Sequence, residues 1–307
     1  MVSTLKEKIR RIYEEKYKFL LLLPIIMLFL ALVQVAVQVS TTGDFVNRGI
    51  SLRGGSAITL TSSPQFSVGG VDISSLESQL RSQFPSADIN AKTLSSFGET
   101  TGIIVESEFQ EKADIDKLVS AVLSIVPVGK DQYSVEIIGL ALGESFFKET
   151  MVALLIAFIL MAAVVFVYFR MVVPSLSVIL VAFSDIVTTL AIFNLTGSKL
   201  GTGGVAAFLM LVGYSVDTEM LLNSKALKQP YNTFMKQIYS AIGTGMTMTL
   251  TVLAAVFVAL IFGNNEVVQQ IMLILFIGLL VDMINSWILN VGVLRWHMEK
   301  RGKKHHE

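Results

Sequence analysis

Apolar residues fall in six long blocks along the chain. The first covers 19–39, and a polar stretch of more than a hundred residues follows it. Five more blocks come in close succession at about 151–169, 173–195, 205–222, 242–262 and 267–294. Crossing ~30 Å of hydrocarbon takes about 20 helical residues. Every block is near or above that length, so the pattern predicts six membrane helices. The fourth is the least apolar, because Asp217 and Glu219 lie in it. The first block is longer than a signal-peptide core and no A-x-A-like site follows it, so it reads as a retained anchor. Gln34 and Gln38 put two amides on one of its faces, where they suit helix packing.

Inside the polar stretch the period changes. Residues 50–60 read as a strand. Ile73, Leu76, Leu80 and Phe84 then recur at helical spacing. Residues 88–94 and 102–108 read as strands joined by a turn at Phe97, Gly98 and Glu99. Ile115, Leu118, Val119, Val122, Leu123 and Val126 form a second helical stripe, and Tyr133, Val135 and Ile137 alternate as a last strand. The order β-α-β-β-α-β is the ferredoxin-like unit. Gly54 and Gly55 interrupt a strand pattern, which marks a bulge or a close backbone contact. The expected organisation is an amphipathic segment over 1–18, a membrane helix over 19–39, a ferredoxin-like domain over 40–146, a five-helix membrane bundle over 147–295 and a basic tail over 296–307.

Composition narrows the class. The chain has 307 residues, is 53% hydrophobic and is only 16% charged, against about 25% charged for a soluble domain. That excludes a soluble enzyme. The 24 basic residues balance 24 acidic ones, which argues against a nucleic-acid partner. With no cysteine there is no disulfide, thiol catalysis or Cys-based metal site. His297, His305 and His306 lack ligand spacing, so neither a metal nor a cofactor is expected. The zero total conceals a separation. Bases cluster before the first span, at Arg170, at Lys225, Lys228 and Lys236, and after the last span. The positive-inside rule therefore places both termini in the cytoplasm and the polar domain outside. Leu5, Ile9, Ile12 and Tyr13, interleaved with bases, read as an interfacial helix on the lipid bilayer.

Asp185, Asp217, Glu219 and Asp282 fall within predicted spans. A carboxylate at the bilayer centre costs at least about 2.5 kcal/mol, so such residues face protein and are functional by default. Asp185 has Thr188 and Thr189 at i+3 and i+4, which sets hydroxyls beside it. Asp217 and Glu219 are two apart and point to nearly opposite sides of their helix. One is expected to face the bundle centre and the other a partner helix or the headgroups. Gly213 lies in line with Asp217, and Ser215 and Asn223 with Glu219. Lys225 either reaches back to a carboxylate or snorkels. Asp282 shares a polar stripe with Gly278, Asn285 and Ser286, in a role of proton relay or packing. In the fifth span Gly243 and Gly245, with Thr244, Thr247, Thr249 and Thr251, suit close packing or a polar path. An aspartyl protease would need two carboxyls sharing a proton, and the G-x-G-D pattern is missing.

These residues resemble a family, the SecF subunits of the SecD–SecF accessory complex of protein export, within the wider RND-type superfamily. One span, an outer domain and five clustered spans is that family's layout. Gly49-Ile50-Ser51-Leu52-Arg53-Gly54-Gly55 looks like its G-I-D-F-x-G-G segment, with Ser51 and Leu52 replacing Asp and Phe. Ile138-Gly139-Leu140-Ala141-Leu142-Gly143 resembles V-G-P-x-L-G. Asp185-Ile186-Val187 falls at H-D-V, with Ser184 for His. Val212-Gly213-Tyr214-Ser215-Val216-Asp217 matches I-G-Y-S-x-N, with Asp217 for Asn, and Ser224-Lys225 falls at D-R. These departures are similar to the archaeal branch. The resemblance implies a SecD-like subunit packed against the chain, the Sec translocon and the translocating polypeptide as partners, and use of the proton gradient. It makes Asp185 the expected proton carrier, with Asp217, Glu219, Lys225 and Asp282 as further relay residues, and it implies no catalytic activity. Protonation would alter the packing of spans three and four and so move the outer domain. The rival readings are an RND-type exporter of small molecules or lipids and a passive translocon scaffold.

Overall fold

The computed structural model describes residues 13–62, 70–96, 99–227, 234–263 and 265–303. Most of the expected amphipathic segment (1–12), Gly69, the turn residues Phe97 and Gly98, Lys228, and the last residues with His305 and His306 lie outside the described residues. Six helices among the described residues are long and apolar enough to span a membrane. They are α1 (Tyr17–Thr42), α4 (Leu140–Phe169), α5 (Val172–Leu195), α6 (Thr202–Leu227), α7 (Phe234–Phe262) and a sixth span over Val267–Lys300. The sixth span consists of α8 (Glu266–Ile284), a π-helical turn (Asn285–Asn290) and α9 (Val291–Lys303). Several helices run past the apolar blocks into polar sequence, because backbone hydrogen bonding continues where hydropathy stops. The α4–α5 corner is sharp, and Arg170 takes it at φ 51°.

Burial ranks the spans. Within their apolar windows 56% of α5 and 50% of α6 positions are buried, against 11% for α1 and 6% for α4. Thus α5 and α6 form the centre, α8 packs on both, and α1 and α4 are left with apolar surface suited to lipid. Asn194 of α5 donates to Gln34 at 3.4 Å and to the Phe45 carbonyl at 2.9 Å, so the amide face of α1 serves packing.

Between α1 and α4 lies the small domain. Strands β1 (Gly55–Thr61), β2 (Ile89–Ser96), β3 (Glu99–Ser107) and β4 (Tyr133–Ile138) form an antiparallel sheet in the order β2-β3-β1-β4. Helices α2 (Ile73–Gln83) and α3 (Lys112–Ile125) cover one face, burying Ile58, Leu60, Ile103 and Val105 against Leu76, Leu80, Leu118 and Val122. Asp72 caps α2 by accepting from the Ser74 backbone N–H at 3.1 Å. The register pairs Ile58 with Val135 and Ser56 with Ile137. Val135 and Ile137 therefore point to the helix-covered face, yet stay 38% and 52% exposed because β4 is an edge. Residues 50–53, expected as strand, instead form a helical turn, Ile50–Arg53. The chain straightens only after Gly54 and Gly55, whose φ values are 86° and 137°. A Cβ on Gly54 would lie 2.7 Å from the Leu140 Cα, and one on Gly55 2.3 Å from the Ser107 carbonyl oxygen. The expected close backbone contact is the crossing of this segment over the start of α4.

The other sheet face looks onto the bundle across a cavity of about 230 Å³, lined by Thr59, Lys92, Glu106, Gly201 and Gln270 among others. The α5–α6 turn is bolted to the domain's entry. Leu200 donates its N–H to the Asn47 carbonyl at 2.6 Å, and Gly49 donates to the Leu200 carbonyl at 2.8 Å. Lys199 reaches Asp88 at 2.9 Å. At the opposite end the N-terminal stretch is pinned to the sixth span. Tyr13 donates to the Trp287 carbonyl and Tyr17 to Glu299, each at 2.7 Å, and Arg295 donates to the Glu14 carbonyl at 2.6 Å. The two ends are called here the sheet side and the terminal side.

Candidate functional site

Polar residues of α5, α6 and the sixth span converge between two apolar layers. On the sheet side Phe193, Leu211, Leu275 and Leu279 belong to one packed core, and on the terminal side Leu222, Ala226, Trp287 and Leu294 belong to another. Ser184 and Asp185 on α5, Ser215 and Glu219 on α6, and Asp282, Asn285 and Ser286 on the sixth span occupy the level between them. All seven are buried.

Asp185 is fully buried and accepts two hydrogen bonds. Ser215 Oγ donates to its Oδ2 at 2.6 Å, and Asn285 Nδ2 donates to its Oδ1 at 2.7 Å. The same amide group lies 3.0 Å from Ser184 Oγ. Asp282 accepts from Ser286 Oγ at 3.0 Å and is close enough to Asp185 to interact with it directly. Glu219 faces Asp282 and Asp185, with Ser286 beside its carboxyl and neither carboxyl oxygen in a close hydrogen bond. Three carboxyls thus share one enclosed site whose donors are neutral hydroxyls and an amide. Among the described residues none of the three has a basic partner. Burying three negative charges together without a cation would be costly. Asn285 Oδ1 in the site is buried and unpartnered, and so are Thr188 Oγ1 and Thr189 Oγ1 further along α5.

The sequence-predicted residues divide into two sets. Asp185, Ser215, Glu219 and Asp282 come together. Thr188 and Thr189 are buried on the same α5 face, but the hydroxyl that binds Asp185 is Ser215, from the neighbouring helix. Asp217 points away, on an exposed strip with Gly213 and Tyr214. Lys225 does not reach back to a carboxylate. It donates to Thr244 Oγ1 at 3.0 Å and to the Ser240 carbonyl at 3.4 Å, both on α7. Gly243 is also exposed, with nothing within 4 Å of a Cβ placed there. Gly245 faces inward and is a packing residue, since its Cβ would sit 2.5 Å from Trp287 Cζ2.

One part of the site escapes helical periodicity. Residues five apart on an α-helix diverge by ~140°. The π turn closes i→i+5 bonds, so residues five apart come to one side. Asn285 and Asn290 consequently both face α5 and α6. Asn290 Nδ2 donates to Asn223 Oδ1 at 3.1 Å, and Ser177 Oγ donates to Asn290 Oδ1 at 2.6 Å. Asn223 Nδ2 donates to the Pro174 carbonyl at 3.3 Å. Asn223 was legible as a polar position in line with Glu219. Ser177 and Asn290 were not, and a buried asparagine five residues past Asn285 is the one signal that points to them.

Comparison with known proteins agrees with this arrangement. The family model for protein export membrane protein SecD/SecF, C-terminal, matches residues 119–300. The protein-export membrane protein SecF of Pyrococcus furiosus is 35% identical over 303 residues, covering 98% of each chain. The SecF protein of Methanocaldococcus jannaschii is 31% identical over 294 residues, covering 94% of this chain and 98% of its own. The crystal structure of SecDF, a translocon-associated membrane protein from Thermus thermophilus, matches 92% of this chain with a TM-score of 0.70 at 19% identity. The match takes up 38% of the SecDF chain, so this chain spans well under half of it and the likeness is one of fold. Six apolar spans and full-length relatives at this identity make the chain a multi-pass membrane protein that belongs to the SecF family of protein-export membrane proteins.

Proposed function

We propose that the chain works with a SecD-like subunit beside the Sec translocon. There it assists passage of a polypeptide across the cytoplasmic membrane, drawing on the proton gradient through Asp185. The termini lie in the cytoplasm and the sheet domain outside, as the distribution of bases implies. The observation that carries the reading is the enclosed triple-carboxyl site, hydrogen-bonded by Ser215 and Asn285 and without a base. A carboxyl held by neutral donors keeps both its charged and its protonated forms accessible, which reversible proton carriage requires. Glu219 and Asp282 are the groups with which Asp185 exchanges its proton. The change reaches the outer domain through α5 and α6, whose connecting turn is hydrogen-bonded to it at Leu200.

The outward strip supports the partner. Asp217, Gly213 and Tyr214 of α6 and Gly243, Thr244, Thr247 and Thr251 of α7 are all exposed, on two helices that pack together. The threonine hydroxyls donate to carbonyls one turn back on α7, but a carboxylate facing hydrocarbon would be costly, and small residues admit a close helix. A SecD-like subunit supplies the covering helices. The fraction of the SecDF fold absent from this chain leaves room for it.

The test is Asp185→Asn in inverted membrane vesicles, at matched amounts of folded chain and bound SecD. Export of a secretory substrate is measured with and without an imposed proton gradient. The gradient-dependent increment should disappear while basal export persists. An unchanged increment would sink the reading.

A further inference from the structure

The hydrogen bonds among Asn223, Asn290 and Ser177 lie one turn from the carboxyl site, toward the terminal side. They are unlike the site itself. Asn290 Oδ1 and Nδ2, Asn223 Oδ1 and Nδ2, and Ser177 Oγ all have partners, whereas the carboxyl site leaves Asn285 Oδ1 and both Glu219 oxygens without a close one. Asn223 and Asn290 are 0% exposed, and Ser177 is 2% exposed. They sit at the level of Leu222, Ala226, Trp287 and Val291, in the terminal-side apolar core. A polar bridge whose side-chain nitrogens and oxygens each have a partner, set in apolar packing, offers water fewer open sites than the carboxyl site does. On the sheet side, by contrast, the site is covered by apolar packing such as Leu211 against Gly278.

The bridge also has a physical link to Asp185. Asn285 holds Asp185 at the start of the π turn, and Asn290 holds Asn223 at its end. A π turn carries one residue more than the α geometry wants, and relaxing it rotates what lies beyond by about one residue's turn, ~100°. Asn285 and Asn290 cannot both stay on the inner face if the turn relaxes.

We propose that the Asn223–Asn290–Ser177 bridge is the terminal-side gate of the carboxyl site, and that the π turn Asn285–Asn290 couples its opening to whether Asp185 keeps its bond to Asn285. The three residues are positioning residues, since they carry no proton themselves. The proposal rests on the proton-carrying role of Asp185 for its purpose, but the gate can be examined without it.

Because the chain has no cysteine, a single introduced thiol reports cleanly. Ser286→Cys places one within the carboxyl site, four residues before Asn290. Its rate of labelling by a small, charged methanethiosulfonate is followed in inverted vesicles, where the terminal side faces the reagent. Asn290→Ala, which leaves space and unpaired groups, should speed labelling about tenfold, the population shift expected from losing buried hydrogen bonds. The double variant Asn223→Leu with Asn290→Leu fills the space with apolar side chains and should slow labelling below the parent. It should also abolish gradient-dependent export. A merely structural role predicts no such opposite pair. Chromatographic profile and thermal midpoint in detergent identify variants that fail to fold, and Asn290→Gln, which keeps the amide, should stay near the parent rate. Asp185→Asn should change the labelling rate through the π turn. Equal rates in the parent, Asn290→Ala and the double leucine variant would overturn the gate, and an unaltered rate in Asp185→Asn would overturn the coupling. Faster labelling in Asn290→Ala, together with gradient-dependent export intact in Asp185→Asn, would retain the gate and remove the proton reading instead.

Discussion

Acidic side chains are held by opposite chemistry in the sheet domain and in the bundle. Around the sheet they meet bases. Asp88 lies 2.9 Å from Lys199 and 3.5 Å from Arg53, Glu106 lies 3.2 Å from Lys92, and Glu77 lies 2.7 Å from Arg81. In the bundle the hydrogen-bond donors to Asp185 and Asp282 are Ser215, Asn285 and Ser286, all neutral, and Glu219 makes no close hydrogen bond. A carboxylate beside an ammonium stays charged across the physiological range and fixes geometry. One held by hydroxyls and amides is free to change state. The comparison separates acids that fasten the molecule from acids held by neutral donors, which are the ones proposed to work.

The sharpest way to break it is to remove the neutral donor. Asn285→Leu strips Asp185 Oδ1 of its hydrogen bond and leaves that oxygen in an apolar surround. The expected cost is roughly 1–3 kcal/mol, seen as a lower thermal midpoint in detergent. If Asn285→Leu unfolds like the parent, the donor is not what supports the buried carboxyl.

Asp217 sharpens the comparison from the other side, because it shares α6 with Glu219 yet is exposed. Asp217→Asn should leave the stability of the isolated chain within about 0.5 kcal/mol, as for an exposed site without close partners. Co-purification with a SecD-like subunit in mild detergent should fall, because the carboxylate would lose a partner there. Full recovery of the pair with Asp217→Asn and with Tyr214→Ala would mean that this strip is not the covered face.

How much of this could be read from the residues differs between the same two regions. The six spans and the β-α-β-β-α-β order follow from apolar blocks and from changes of period, both of which are local. Asp185, Glu219 and Asp282 stood out because charge is rare in such blocks. Periodicity tells which residues share a face, but not which neighbour donates to them. For that reason Thr188 and Thr189 looked like the partners of Asp185, and Ser215 proved to be the one that binds it. Lys225 could be read as reaching back to a carboxylate or as snorkelling, and the structure instead sets it against Thr244 of α7. The Asn223–Asn290–Ser177 bridge depends on a π turn, which breaks the rule by which faces are assigned. The turn Ile50–Arg53 was hidden for a similar reason: Gly54 is set by a crossing with Leu140 and Gly55 by the Ser107 backbone, both far along the chain.

The fastening acids make the smallest prediction. Asp88 is partly buried, which by itself opposes its charge, but the hydrogen bond and charge of Lys199, with Arg53 and Arg81 nearby, hold its carboxyl below the ordinary 3.8. A carboxyl depressed on folding stabilises the fold at pH values above its unfolded value, and that contribution is lost as pH falls through the folded value. The Asp88–Lys199 tie should therefore be indifferent to pH between about 5 and 8, and should loosen only below about pH 4. The Asp88 side chain is 40% exposed. Solvent screening therefore keeps the effect under about 1 kcal/mol. Hydrogen exchange at the Gly49 and Leu200 amides, corrected for the intrinsic rate, reads the joint directly. Asp88→Asn at neutral pH should show the protection that the parent shows only in acid. Protection that already declines between pH 7 and 5 in the parent would mean that the joint is held by a group other than Asp88, and the contrast between fastening and working acids would lose its clearest member outside the membrane.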